Sequence, residues 1–167
     1  MKTHTSLPHF PVEELNTVIG YSEENEKIRQ AIITGSWKDE LDSDLGKLCF
    51  DVLGNLRSII HKLAESKSES YAAHGGSWLV DEHGMLLLFS PLETLDCTCS
   101  NFGVEASEEE FSFGLGIIAA NVLACDEDAP SEVIDYFTYL YHLSHCIYDI
   151  APETETFNKT TIFQIFD

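Results

Sequence analysis

Leu45, Leu48, Cys49, Val52, Leu53, Leu56, Ile59, Ile60 and Leu63 recur at intervals of three and four residues, the period of an amphipathic helix. Asp42 or Ser43 stands where the cap of that helix belongs, and the stripe ends near Glu65. Gly54 lies inside it at a cost of about 1 kcal/mol relative to Ala, so it reads as a close-packing position. Upstream, Pro11 to Ile19 fits a short helix with Pro11 in its first position. Ser22 caps a second helix through about Thr34, with Glu23, Glu24 and Glu26 in the first turns and Gly35 at the end. Residues 1–10 read as irregular.

The period then changes. Ser66 to Gly76 reads as a small polar loop. Ser77 to Val80 and Met85 to Phe89 are short apolar runs flanking Asp81-Glu82-His83-Gly84, the pattern of a hairpin. Pro91 stops the second run, and Leu95 to Phe102 supplies a third, so a three-stranded antiparallel meander is expected. Ser107 followed by Glu110 is a capping box, which opens a helix to about Cys125 with Phe111, Leu115, Ile118 and Val122 on one face. Asp126 to Ala129 is a loop. Pro130 or Ser131 begins another helix, which carries Val133, Ile134, Phe137, Leu140, Tyr141, Ser144 and Ile147 and stops before Pro152. Thr160 to Phe166 is expected to dock as a final helical turn or a strand. The fold class is α+β in a single domain over 1–167: N-terminal helices, a small meander, then C-terminal helices.

Composition sharpens this picture through charge. The chain has 167 residues, 9 basic and 29 acidic, for a net charge of -20. Residues 1–67 hold 8 of the basic residues and a net of only -3. From Ser68 to Asn158 there are 91 residues with 17 acids and no Lys or Arg. That excludes ordinary binding to nucleic-acid backbones or anionic membrane surfaces, which requires basic patches. It fits either a solubility device or a surface that meets a basic partner, including a site that normally holds DNA phosphates. With 44% hydrophobic and 11% aromatic residues, wholesale disorder is excluded. MKTHTSLPHF has no apolar signal region, and Phe111 to Cys125 is too short to span a bilayer. Five cysteines read as reduced thiols, and the expected location is cytoplasmic.

Candidate chemistry is thin. Cys97-Thr98-Cys99 and the trio His142, His145 and Cys146 invite a zinc reading, the trio at i, i+3, i+4 on one helix face. Packing as buried small residues and half-buried aromatics accounts for them better, and neither a metal nor another cofactor is expected. His74-Gly75-Gly76 loosely resembles an oxyanion loop but has no G-x-S-x-G partner. Phe113-Gly114-Leu115-Gly116-Ile117-Ile118-Ala119 imitates part of a dinucleotide loop, yet lies inside a helical pattern. No nucleophile, base and orienting carboxylate share a signature, so no catalytic residue is assigned.

One ordered set of residues carries a resemblance. Tyr71 precedes Gly75-Gly76-x-Trp78; Gly84 and Phe89-Ser90-Pro91 follow, then Asn101 and Glu105-x-Ser107. A helix bearing Gly116-Ile117, an aromatic helix from Tyr136 to Tyr148, Pro152-Glu153 and a closing Ile165-Phe166-Asp167 complete it. This order resembles the plasmid- and island-borne antirestriction proteins of the ArdB/KlcA type. It covers about residues 45–167, while residues 1–44 match little. The sequence departs from the family pattern at Ala106, where methionine is usual, and at Ala151, where histidine is. The loop before Gly75 is longer, and about five extra residues follow Pro152. The resemblance implies a non-catalytic inhibitor of type I restriction-modification systems that protects incoming mobile DNA and needs no cofactor or small-molecule ligand. Its partner would be the restriction complex or an associated host factor. The alternative is an acidic interaction module, such as an immunity or regulatory protein, covering a basic site elsewhere. For either, the expected contact residues are Glu105, Glu108, Glu109, Asp126, Glu127, Asp128, Glu132 and Asp135. Tyr71, Gly75, Gly76, Trp78, Gly84, Pro91, Asn101, Ser107, Gly116 and Ile117 are expected to shape the fold.

Overall fold

Three serines set the helical frame of the computed structural model, which describes residue 7 and residues 9–98 and 103–167. Ser22 accepts from the Asn25 amide and starts α1 (Glu23–Thr34), which Gly35 ends at a φ of 77°. Ser43, not Asp42, accepts from the Gly46 amide and starts α2 (Asp44–Lys67). Ser107 and Glu110 form the expected capping box of α4 (Glu108–Ala124). Each such cap contributes about 1 kcal/mol by satisfying helix-end amides. Ahead of α1, the expected short helix is a 3-10 helix, Val12–Thr17, with Pro11 at its cap instead of in its first position. A second 3-10 helix, Ser36–Glu40, joins α1 to α2.

The expected polar loop between Ser66 and Gly76 is mostly helical. α2 runs to Lys67, and Ser68 caps a short helix, α3 (Glu69–His74). Asp96 holds the start of α3 from a distance: its carboxylate accepts from the amides of Glu69 (3.2 Å) and Ser70 (3.0 Å) and from both the Ser68 and Ser70 hydroxyls.

β1 (Ser77–Val80) and β2 (Leu86–Phe89) form the expected antiparallel hairpin, with Trp78 opposite Leu88. Gly84, at a φ of 86°, closes the turn. The third strand of the meander is absent from this sheet. Instead β3 (Thr94–Thr98) pairs with β4 (Gly103–Ser107), so the described residues form two two-stranded sheets. The physical reason lies on the outer edge of β2. The Leu88 amide donates to Ser112 Oγ at 2.8 Å and the Ser90 amide donates to the Glu108 carboxylate, both on α4. Amides already claimed by a helix offer no ladder to a further strand.

α4 is the centre of the molecule. It packs against α2, β2, β3, β4, α5 (Ser131–Ile150) and α6 (Lys159–Phe166). Burial therefore extends around the helix from Phe111 to Ile117, rather than along the one face expected. Ile118 is half-buried and Val122 is exposed. Gly114 permits the close packing of α4 on α6, since a Cβ there would lie 2.5 Å from Ile165. Gly54, by contrast, faces open space and has no packing role. The tail resolves as helix α6, capped by Asn158. The buried apolar side chains form one continuous core. Among the described residues, no helix is long and apolar enough to cross a membrane.

Candidate functional site

Carboxylates dominate the C-terminal half, and the structure divides them into two groups. Glu108, Glu109 and Glu110 occupy the first turn of α4, where unpaired backbone amides favour negative charge. All three are buried, at 5%, 7% and 5% exposure. Glu110 accepts from the Ser107 amide at 2.9 Å and from the Asn158 amide at 2.6 Å, which ties the start of α4 to the start of α6. Glu108 holds the β2 edge. Glu108 and Glu109 are therefore removed from the expected contact face. Sequence alone left them exposed because a Glu-Glu-Glu run ordinarily lies in water.

The second group faces solvent. Asp126, Glu127 and Asp128 form the loop between α4 and α5, and Glu132 and Asp135 follow on α5; all five are exposed. Asp126 Oδ1 accepts from the Asp128 amide at 3.1 Å, so the loop presents its charges in an ordered turn. The Asp135 carbonyl accepts from Asn25 Nδ2 at 3.2 Å, which anchors this end of α5 to α1. Glu105 is exposed on β4 and accepts from the Thr94 hydroxyl at 3.2 Å.

The motif residues sit at packing and backbone positions. Tyr71 is buried, its hydroxyl 2.7 Å from His61 Nδ1 and 2.9 Å from Trp78 Nε1, which donates to it. His61 Nε2 lies 3.0 Å from Glu65, so a chain of polar contacts runs from the surface of α2 to the indole on β1. Gly75 adopts a φ of 67°, and a Cβ on Gly76 would meet the Phe89 carbonyl at 2.9 Å. Gly116 faces Met85 at 3.0 Å in the same sense, and Ile117 is buried. Pro91 is exposed just beyond β2. Asn101 lies outside the described residues.

The candidate zinc ligands do not converge. Among the described residues, no group of three or more His, Cys, Asp or Glu is placed to hold a metal ion. His145 instead packs edge-on to Tyr141 at 4.7 Å and Phe166 at 5.6 Å, and its Nε2 is sealed without a partner. Burial holds its pKa below the usual histidine value, against the pull of Asp149. Cys97 is buried on β3, and Cys99 lies outside the described residues. The glycine-rich stretch from Phe113 to Ala119 is helical, as expected.

A buried polar cluster was not foreseen. Arg29, on the inner side of α1, is 4% exposed and forks onto Glu26 at 2.8 and 2.6 Å. Its third nitrogen donates to the His83 carbonyl at 3.2 Å, and Tyr139 on α5 donates to Glu26 at 2.9 Å. Burial opposes ionisation of Glu26, but the hydrogen bonds from Arg29 and Gln30 prevail and lower its pKa. A cavity of about 160 Å³ opens beside Arg29, lined also by His9, Gln30, Glu82 and His83. The available signal was an arginine between Ile28 and Ala31, on the apolar side of the helix. No protein-family model, curated protein or solved structure matches the chain.

Proposed function

We propose that this chain is a non-catalytic antirestriction protein that blocks type I restriction-modification systems and so protects incoming mobile DNA. The reading rests on the resemblance over residues 45–167. The structural observation that supports it is the exposure of Glu105, Asp126, Glu127, Asp128, Glu132 and Asp135 within a stretch that contains no Lys or Arg. A DNA-cutting complex presents rows of cations to phosphates. A folded surface of carboxylates competes for those cations without offering a cleavable bond. The partner is a cytoplasmic restriction complex or a host factor bound to it. No cofactor, substrate or catalytic side chain enters the mechanism. Electrostatic contacts of this kind weaken as salt screens them, so inhibition falls with ionic strength.

The test is the plating efficiency of unmodified phage on cells carrying a type I system, with a type II enzyme as control. Relief confined to type I is expected. Glu127→Lys with Glu132→Lys reverses two exposed charges and should abolish relief while circular dichroism stays unchanged. No relief against several type I systems, with the protein soluble, overturns the reading in favour of an acidic module with another target. Full relief by the reversed variant overturns the assignment of the surface.

A further inference from the structure

Phe50 is out of place on α2. The apolar stripe of that helix faces the core, yet Phe50 stands off it and is 60% exposed. Leu41, just before the helix, is 49% exposed. Trp37 on the preceding 3-10 helix is half-buried, its ring 6.3 Å from that of Phe50. These side chains do not lie scattered. Leu41, Lys47, Phe50 and Asp51 line an open groove of about 360 Å³. Its shape is enforced by Gly46, where a Cβ would lie 1.9 Å from the Glu40 carbonyl oxygen, so the 3-10 helix and α2 meet at backbone contact. Single exposed apolar residues need no explanation, but an apolar concavity between rigid elements marks a binding surface.

Charge selects the occupant. Asp39, Glu40, Asp42, Asp44 and Asp51 are all exposed around this corner, against Lys38 and Lys47. A second copy of this chain would bring the same acidic rim and a further net charge of -20. Like charges across an interface disfavour that pairing, whereas a cationic partner gains from the rim and buries the apolar floor. We infer that the groove lined by Leu41 and Phe50, with Trp37 packed beside Phe50, docks an amphipathic helix with basic flanks from another protein. An apolar helix face at i, i+3, i+4 and i+7 fits such a groove, and its flanking lysines or arginines meet the carboxylates. This surface belongs to different elements from the Asp126–Asp135 segment, and the inference stands whether or not the antirestriction reading does.

The test is calorimetric titration of the full chain with a synthetic helical peptide bearing leucines at that spacing and lysines elsewhere. Leu41→Ser with Phe50→Ser removes the apolar floor and leaves the net charge unchanged. Binding is expected to weaken about tenfold or more in this variant, the size of effect carried by central apolar anchors. A scrambled peptide of the same composition should bind the parent chain equally weakly. On the parent chain, chemical-shift changes should centre on the Trp37 indole and Phe50, a readout independent of how the variant folds. Equal binding by both chains, or by both peptides, means charge alone is read and overturns the inference. So does absence of binding, or a dimer in sedimentation that the double substitution dissolves.

Discussion

Asp81→Asn should stabilise this protein at neutral and alkaline pH, and not at about pH 5. Asp81 follows β1, where its Oδ1 accepts from the amides of His83 at 3.0 Å and Met85 at 2.9 Å. Its Oδ2 is sealed from solvent with no partner. Burial pushes the carboxyl from 3.8 up to about 7, although the His83 and Met85 amides and the charge of Arg29 act in the opposite direction. The folded value lies above the unfolded one, so folding retains a proton that the unfolded chain releases. Stability from this group is complete below about pH 4 and is lost progressively as pH rises to about 7. At about 1.4 kcal/mol per unit, the ionised carboxyl costs on the order of 4 kcal/mol at about pH 8 and roughly 1.5 kcal/mol at about pH 5. Asparagine keeps the Oδ1 acceptor and cannot ionise, but seals an amide where Oδ2 was, at about 1–3 kcal/mol. The variant should therefore be about 1–3 kcal/mol more stable than the parent at about pH 8 and equal or less stable at about pH 5. Urea unfolding of both chains across this range, followed by fluorescence and circular dichroism together, supplies the numbers. All other titrations are common to both chains and cancel in the difference. A stability difference constant to within about 0.5 kcal/mol across that range would refute the reasoning, because it would mean that the carboxylate reaches water or a counterion.

Gly46→Ala should cost about 3 kcal/mol or more, since its Cβ falls 1.9 Å from the Glu40 oxygen and the contact is backbone on one side; a urea midpoint within error of the parent would contradict this. Asp96→Ala removes the acceptor at the start of α3 and should cost about 1–2 kcal/mol near neutral pH, read by the same assay. The Ser70 hydroxyl bond, with further help from the Ser70 and Glu69 amides, holds the Asp96 pKa below its usual value. The penalty of that substitution is thus full above about pH 4 and fades as pH falls through the lowered folded value. Tyr71→Phe leaves Trp78 Nε1–H and His61 Nδ1 without their shared partner; the expected loss is about 1–2 kcal/mol with a shift in tryptophan emission, and an unchanged spectrum would argue against the contact.

What the sequence by itself determined is local. A serine followed by an amide three residues on, or a Gly that adopts positive φ, acts within a single turn. Ser22, Gly35 and the Ser107–Glu110 box were therefore legible at once, and the α2 cap was narrowed to Asp42 or Ser43. The long stripe of α2 and the pattern of α5 were legible for a similar reason, because helix periodicity is written in neighbouring residues. Strand partnership is not local. The run after Pro91 could not reveal that the outer amides of Leu88 and Ser90 are taken by Ser112 and Glu108, 24 and 18 positions away respectively. α3 was hidden because part of its cap is Asp96, which arrives from another sheet. The candidate surface divided along the same line. The exposed loop acids could be placed from composition and turn signals. Glu108 and Glu109 could not, because only the packing of α4 against its neighbours removes that first turn from water. Capping and periodicity are short-range free energies carried by adjacent residues, whereas burial and strand pairing depend on which distant segment occupies a shared edge.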